Sequence, residues 1–258
     1  MFTVSNPKVA GFTPVWAPFR GFSLLFDNPC DGQRPLAAGI AELAVTLNDD
    51  PQVAFYRTLA TTLERLDLPL LTSTYLFCPL PTASYHVTVW DGGNAGNLKS
   101  VVPARRPELE TLLAGLPQSI LAPGDLTALP LASSLVTRQL PEIRFRFDAL
   151  ALWGNAVLVA RLSPADATSV SHLGRLTDER RRLSANFHAA FGIAPGDRFT
   201  PHVSLGYFAN PQGALLASHA LPTWNAVFDT AMESLNVSYR SISLYGFTDM
   251  ATFFKAVK

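Results

Sequence analysis

Two short stretches decide the fold: Tyr-His-Val-Thr-Val-Trp at residues 85–90 and Arg-Phe-Thr-Pro-His-Val-Ser-Leu-Gly-Tyr at residues 198–207. Each contains a histidine, a valine and a hydroxyl residue within a run of apolar and β-branched side chains, which predicts a strand. Successive side chains of a strand point to opposite faces, so the histidine and the hydroxyl share one face while the valine enters the core. The four polar residues are His86, Thr88, His202 and Ser204.

The first half of the chain surrounds its motif with strands and one helix. Residues 21–26 (Gly-Phe-Ser-Leu-Leu-Phe) predict a strand, and Asn48 with Pro51 provides the N-cap and first-turn chemistry of a helix that runs to about residue 66. Residues 74–77 predict a further strand, and Asp91-Gly92-Gly93 predicts the turn that ends the motif strand. The predicted order is strand, helix, strand, strand.

The second half repeats this order around the second motif. Strand-like residues from Ile143 to Leu162, with Gly154-Asn155 at their centre, predict a β-hairpin. A helix is predicted from Ser163-Pro164 to about Phe191, with Gly192 as its stop. After the second motif come a last helix and one strand, predicted for residues 237–247. The two motifs therefore occupy matching places in a degenerate internal repeat.

This repeat predicts an α+β fold with a single bilobal domain over residues 1–258. Two pseudo-symmetric lobes, each an antiparallel sheet flanked by helices, are expected to present one His-x-Ser/Thr strand apiece to a central cleft. Lobe one covers about residues 20–141, including a proline-rich connection at 92–141 that has room for one or two helices. Lobe two covers about residues 142–258.

Composition excludes several classes of protein. The 258 residues contain 48% hydrophobic and 16% charged residues, which is typical of a folded chain rather than a disordered one. Lysine plus arginine and aspartate plus glutamate are 20 each, so no net charge favours coating of long nucleic acid or an anionic membrane. A small anionic ligand or a single RNA end remains compatible with this balance.

The two cysteines, Cys30 and Cys78, form no Cys-x-x-Cys motif, so we expect buried, reduced thiols and no zinc site. No apolar stretch of the sequence is long enough to span a bilayer, and the first residues lack the pattern of a signal peptide. The sequence therefore predicts a cytoplasmic protein without a membrane segment.

The paired motifs resemble those of the 2H phosphoesterase superfamily, which includes cyclic nucleotide phosphodiesterases and the enzymes called 2′-5′ RNA ligases. The resemblance extends over about residues 20–250 as an architecture and rests on the two motifs. It implies a phosphodiesterase without a cofactor, in which the family's motif histidines and hydroxyls correspond to His86, Thr88, His202 and Ser204. The family's aromatic residue five positions after the second histidine, which contacts the phosphate in some members, corresponds to Tyr207.

The reaction that the resemblance implies needs the four motif residues. Opening a cyclic phosphate requires a base to deprotonate water and an acid to protonate the leaving ribose oxygen, and a histidine can do either near neutral pH. His86 and His202 are expected to share these roles, in an order that the sequence leaves open. Thr88 and Ser204 are expected to donate hydrogen bonds to the phosphate oxygens, with no metal required. Two nearby histidines also predict a bell-shaped pH profile.

Three further residues are candidates for substrate binding. Alternation places Trp90 on the face of Thr88, where it could stack on a base. Gly206 is expected to bend the second strand and to turn Tyr207 towards the cleft. Arg198, four residues before the second histidine, could reach a phosphate as a charged donor. The charged run at residues 178–182 is instead expected to form an exposed helix face, with Asp178 and Arg182 paired.

The expected partner is a small nucleotide or ADP-ribose derivative with a cyclic phosphate, a 2′-5′ phosphodiester or an RNA terminus. Zero net charge favours a small nucleotide over long RNA. A non-catalytic module that binds nucleotides or RNA ends in the same cleft is the alternative. Turnover distinguishes the two, because binding alone does not require two proton-transfer groups.

Overall fold

The structure, a computed structural model, describes residues 3–11, 15–29, 33–45, 53–122, 124–194, 196 and 198–257. The helices are α1 (Ala54–Glu64), α2 (Leu68–Tyr75), α3 (Arg106–Ala114), α4 (Asp125–Leu131), α5 (Ala167–Phe191), α6 (Pro211–Ser218) and α7 (Leu221–Met232). The strands are β1 (Gly21–Phe26), β2 (Arg34–Ala37), β3 (Ile40–Glu42), β4 (Phe77–Pro79), β5 (Thr88–Asn94), β6 (Ile143–Trp153), β7 (Val157–Pro164), β8 (His202–Phe208), β9 (Asn236–Tyr239), β10 (Ile242–Phe247) and β11 (Phe253–Ala256).

The strands form two antiparallel sheets, which confirms the predicted α+β class. The first sheet has six strands in the order β2-β3-β11-β10-β1-β5, and the second has five in the order β4-β8-β7-β6-β9. Helix α5 packs against β5 of the first sheet and against β6 and β7 of the second. The motif strands β5 and β8 thus belong to different sheets that share one helix.

The predicted boundary near residue 141 does not separate the two sheets. Strands β10 and β11 from the end of the chain pair within the first sheet, whereas β4 from the first half pairs with β8 in the second. The single strand predicted for residues 237–247 is in fact two strands, because β9 ends at Tyr239 in one sheet and β10 begins at Ile242 in the other. Each sheet therefore contains strands from both halves of the chain.

Local signals in the second half predicted the structure well. The hairpin of β6 and β7 turns at Gly154 and Asn155, whose φ angles of 57° and 50° are the left-handed values that this turn requires. Helix α5 ends before Gly192, whose φ is 82°. The helix begins later than predicted, because the side chain of Asp166, rather than Ser163, accepts the capping hydrogen bond from the Ser169 amide at 2.8 Å.

The turn predicted at Asp91-Gly92-Gly93 is wrong, since β5 continues through it to Asn94. A Cβ atom on Gly92 would lie 2.4 Å from the carbonyl oxygen of Phe22, so this glycine permits a close approach of β1 rather than a turn. The strand predicted for residues 74–77 is present but begins later, because α2 runs to Tyr75 and β4 covers Phe77–Pro79.

The remaining predictions concern single residues and the membrane. Cys78 is a buried thiol, as predicted, and burial raises its pKa to about 11. Cys30 and the predicted helix start at Asn48 and Pro51 lie outside the described residues. Within the described ranges, none of the helices combines the length and the apolar character that a bilayer crossing demands.

Candidate active site

The two motifs meet at a backbone bridge between the sheets. Val87 pairs with Val203 in an isolated antiparallel bridge, and both valines are 0% exposed. In antiparallel pairing the residues that flank a bridge lie opposite each other, and their side chains point to the other face. The structure therefore brings together four polar side chains on one face: His86, Thr88, His202 and Ser204.

Both histidines are held in the same tautomer by the backbone two residues upstream. Nδ1 of His86 donates to the carbonyl oxygen of Ser84 at 2.7 Å, and Nδ1 of His202 donates to that of Thr200 at 2.9 Å. Because a carbonyl oxygen only accepts, the proton of each neutral ring lies on Nδ1. Nε2 is then the nitrogen that can accept a proton, or donate one once the ring is charged.

An aromatic side chain supports each imidazole ring. The ring centroid of His86 lies 4.2 Å from that of Phe253 on β11, and the centroid of His202 lies 4.4 Å from that of Trp153 on β6. Together with the Nδ1 hydrogen bonds, these contacts restrict ring rotation, so the two Nε2 atoms are pre-positioned. Neither aromatic residue is predicted from the sequence, since Phe253 and Trp153 come from other strands of each sheet.

Burial keeps His86 neutral at neutral pH. It lowers the pKa of His86 to about 4, against the hydrogen bond to Ser84, which favours the charged form, and the charge of His202 lowers it further. The two histidines therefore lie close enough to interact electrostatically.

This shift predicts acid sensitivity of the fold. Between pH 6.5 and about 4 the unfolded chain binds a proton at His86 that the folded chain does not. The free energy of unfolding therefore has its full value with respect to His86 above pH 6.5, and it decreases as the pH falls through this range. We expect the thermal midpoint to fall over this range less steeply for His86→Gln than for the wild type. Equal slopes for the two proteins would contradict the assignment.

His202 has a more mixed electrostatic environment. Burial lowers its pKa, while the hydrogen bond to Thr200 and the charge of Asp91 raise it, and the charge of Lys8 lowers it. His202 thus faces one anion on β5 and one cation from the segment before β1. Neither Asp91 nor Lys8 was identified as a site residue from the sequence.

A bulge in β5 explains why Asp91 was missed. Leu25 of β1 pairs with Thr88 but Leu24 pairs with Trp90, so β5 contains one extra residue, Val89, at this point. The bulge reverses the alternation, and Thr88 and Asp91 consequently share a face. Asp91 itself is exposed.

The same bulge contradicts the prediction for Trp90. Its side chain lies on the opposite face, is 3% exposed and donates from Nε1 to the hydroxyl of Ser184 on α5 at 3.1 Å. Its ring also packs edge-on against Phe187, with centroids 4.9 Å apart. Trp90 is a core residue, and it cannot stack on a base in the cleft.

A bulge in β8 places Tyr207 on the face of the motif residues, whereas the bulge in β5 removes Trp90 from it. Val159 of β7 pairs with Ser204 and Val157 pairs with Tyr207, so the two β8 residues share a face despite their odd spacing. Tyr207 is 7% exposed, and its hydroxyl donates to Sδ of Met250 at 3.4 Å.

Arg198 and Arg180 have different surroundings, and only those of Arg180 contradict the prediction. Arg198 is exposed, and it forms no ion pair with any other residue that the structure describes. Arg180, expected on an exposed helix face, is 7% exposed and donates from Nε to the carbonyl oxygen of Val89 at 3.0 Å. Its guanidinium carbon lies 5.3 Å from the ring centroid of Phe199, so Arg180 supports the loop before the second motif.

The neighbouring charges of α5 also pair differently from the prediction. Asp178 pairs with Arg181 at 2.8 Å rather than with Arg182, which instead contacts Glu179. These pairs are exposed and contribute little to stability. In the parts of the chain that the structure describes, no group of three or more His, Cys, Asp or Glu side chains is arranged to hold a metal ion.

Comparison with known proteins yields matches in structure only. No protein-family model matches the chain, and no curated protein is similar to it in sequence. A solved structure from Agrobacterium tumefaciens str. C58, a conserved protein of unknown function, is similar with a TM-score of 0.55 at 16% identity, over 98% of this chain and 92% of that one.

Two other structures are similar at lower scores. E. coli LigT, solved in complex with 3′-AMP, has a TM-score of 0.42 at 15% identity, over 93% of this chain and 96% of that one. Kluyveromyces marxianus Usb1 has a TM-score of 0.36 at 14% identity, over 86% of this chain and 100% of that one. The likeness to the Agrobacterium structure is one of fold: the chain shares its α+β architecture over nearly its whole length.

Proposed function

We propose that this chain is a phosphodiesterase that hydrolyses a cyclic phosphate or a 2′-5′ phosphodiester on a nucleotide or RNA end. The observation that carries the proposal is the convergence of the two motifs on one face at the Val87–Val203 bridge. Two titratable groups, each fixed by a hydrogen bond and an aromatic ring, are what general acid and base catalysis requires. No metal takes part in the proposed reaction.

The proposed step is a displacement at phosphorus. Nε2 of the base removes a proton from water, the water oxygen bonds to phosphorus, and the bond from phosphorus to the leaving ribose oxygen breaks. The acid gives that oxygen its proton from Nε2, and exchange with solvent restores both histidines. The product is a phosphate monoester with a free ribose hydroxyl.

Burial lowers the pKa of both histidines, and only His202 has a carboxylate, Asp91, whose charge opposes that shift. We therefore assign His86 as the base and His202 as the acid. His86, with its pKa lowered to about 4, is neutral and ready to accept a proton at pH 7. The carboxylate of Asp91 stabilises the charged form of His202, which an acid must hold before the step. Activity should fall at low pH as His86 becomes protonated and at high pH as His202 loses its proton.

The hydroxyls of Thr88 and Ser204 are proposed to stabilise the charge that accumulates on the phosphate. Both are half-buried on the face of the histidines. A hydroxyl can donate to a non-bridging oxygen, and the loss of one such donor typically lowers kcat about 10²- to 10³-fold. Tyr207, on the face of Ser204, is proposed to contact the substrate next to them.

We expect Asp91→Asn to move the alkaline limb of the pH–rate profile to lower pH. Removal of the carboxylate lowers the pKa of His202, because the charge of Asp91 raises it in the wild type. The acidic limb, assigned to His86, should move little. Steady-state rates measured between pH 4 and 9 provide the test, and an alkaline limb that stays in place would contradict His202 as the acid.

The experiment that tests the proposal is a substrate panel in buffer with EDTA. It comprises 2′,3′-cyclic nucleotides, 2′-5′-linked dinucleotides, a cyclic phosphate of an ADP-ribose derivative and an oligonucleotide with a cyclic-phosphate end. Turnover of one member, and not of the others, identifies the substrate class. If the folded protein binds nucleotides but turns over none, the cleft belongs to a binding module instead.

A further inference from the structure

The segment before β1, residues 3–11 and 15–20, forms an arm that the fold holds firmly; we call it the N-terminal arm. The amides of Ser5 and Asn6 both donate to the carbonyl oxygen of Ala209, just after β8, at 2.9 and 3.0 Å. The side chain of Asn6 adds a hydrogen bond from Nδ2 to the carbonyl oxygen of Phe208 at 2.8 Å. At its other end, the amide of Phe19 donates to the carbonyl oxygen of Thr248, after β10, at 2.9 Å. The arm thus connects the ends of the two sheets.

An antiparallel pairing within the arm directs Lys8 towards the site. Val9 and Trp16 form an isolated bridge, and the ring of Trp16 packs edge-on against Tyr207 with centroids 6.0 Å apart. The Lys8 ammonium lies 5.0 Å from the ring centroid of Tyr207 and 4.9 Å from that of Phe19. Two aromatic faces hold the cation in place without neutralising its charge.

The charge of Lys8 is not neutralised by a carboxylate of the described chain, and it acts on the face of the motif residues. Lys8 forms no ion pair with a carboxylate of the described chain. It is half-buried, and its charge reaches His202. Lys8 thus lies over Tyr207, which shares the face of Ser204. There it can provide what the neutral hydroxyls lack, namely a full positive charge for an anionic group.

We propose that Lys8 is a substrate-binding residue whose ammonium contacts the phosphate held by Thr88 and Ser204, and that the N-terminal arm completes the active site. This inference rests on the proposed phosphodiesterase function. It assigns the arm a role in recognising the anion, so that phosphate binding depends on a residue outside both motifs. Lysine serves here as a point charge with freely rotating donors.

Binding of a product-like anion tests the inference directly. The probe is adenosine 2′-monophosphate, titrated calorimetrically into the wild type, Lys8→Met and Lys8→Arg. We expect Lys8→Met to bind roughly 10- to 100-fold more weakly, the loss of one charge-assisted hydrogen bond, and Lys8→Arg to restore most of the affinity. Lys99→Met, which removes an exposed lysine outside both motifs, is the matched control and should bind like the wild type.

The pH–rate profile provides a readout that a purely structural role would not move. His202 is faced by Lys8 from the arm, Asp91 and His86 from the first motif strand, and Arg161, its partner on β7. Removal of the Lys8 charge alone should shift the limb assigned to His202 to higher pH, opposite to the shift expected for Asp91→Asn.

The outcomes separate the inference from the function on which it rests. Wild-type binding and turnover with an unchanged Lys8→Met affinity would overturn the role of Lys8 alone. A wild-type protein that neither binds the probe nor hydrolyses any member of the panel would overturn both. Weaker binding by Lys8→Met, with rescue by Lys8→Arg, supports the inference whether or not the bound nucleotide is turned over.

Discussion

Replacement of His86 and His202 by alanine is expected to abolish turnover while the fold remains intact. Each histidine transfers one proton in the proposed step, and the loss of a general acid or base typically costs about 10²- to 10⁴-fold in rate. The two residues act in one step, so the double variant should be little worse than the more damaging single variant. Steady-state hydrolysis of the identified substrate measures the effect.

The control for this experiment is His219→Ala, which removes an exposed histidine at the end of α6. Circular dichroism and the thermal midpoint establish that each variant folds. Because the bridge between Val87 and Val203 is a backbone pairing, the loss of the two imidazoles should leave it in place. A double variant that retains wild-type activity would exclude the two-histidine mechanism.

Gly206→Ala is expected to destabilise the protein, because the second motif strand has no room for an added methyl group at this position. A Cβ atom at this position would lie 2.3 Å from Cζ of Phe77 and 2.6 Å from the carbonyl oxygen of Cys78, on the neighbouring strand β4. The ring could shift, but the backbone oxygen is held in the β4–β8 ladder, where Pro79 pairs with Gly206. We expect a cost of about 1–3 kcal/mol in the free energy of unfolding, the usual effect of overpacking.

Gly174→Ala is the matched control for this substitution. Gly174 lies inside α5, and an added Cβ atom there would meet no other atom within 4 Å. Alanine is the better helix former by about 0.8–1 kcal/mol, so this variant should be more stable than the wild type. Urea unfolding of both variants measures the two effects, and a Gly206→Ala protein as stable as Gly174→Ala would contradict the close approach of β4.

The motif residues were predictable because their signal is local. The spacing of His86 and Thr88, and of His202 and Ser204, follows from the alternation of a strand, which each motif carries in its own sequence. The same holds for the hairpin at Gly154 and for the end of α5, where single residues determine the backbone. Such features need no knowledge of which strands pair.

The residues that were missed depend on distant pairing. The bulge at Val89 places Asp91 on the cleft face and Trp90 in the core. It arises from pairing with β1, which is distant from β5 in the sequence. Gly92 could not be interpreted from the sequence alone, since glycine is favoured both in a turn and where two strands approach closely. Phe253 and Trp153 reach the histidines only through the order of the strands in the two sheets. Lys8 is placed by the hydrogen bonds that attach the N-terminal arm to the end of β8.

The course of β10 and β11 shows the same dependence on pairing. An uninterrupted pattern at residues 237–247 predicts one strand, and only the partners of Tyr239 and Ile242 reveal that the chain changes sheets between them. That crossing brings Phe253 beside His86, so the support of the first histidine comes from the end of the chain. The contact joins residues on opposite sides of the predicted boundary at residue 141, so a division into two lobes of sequence does not predict it.

The most direct test of the two-histidine account is hydrolysis in ¹⁸O-labelled water containing EDTA, with the cyclic-phosphate substrate identified by the panel and mass spectrometry of the product. The account predicts that the wild type places one ¹⁸O atom in the phosphate of the monoester and that His86→Ala/His202→Ala forms no product. Labelled product from the double variant at the wild-type rate would contradict it.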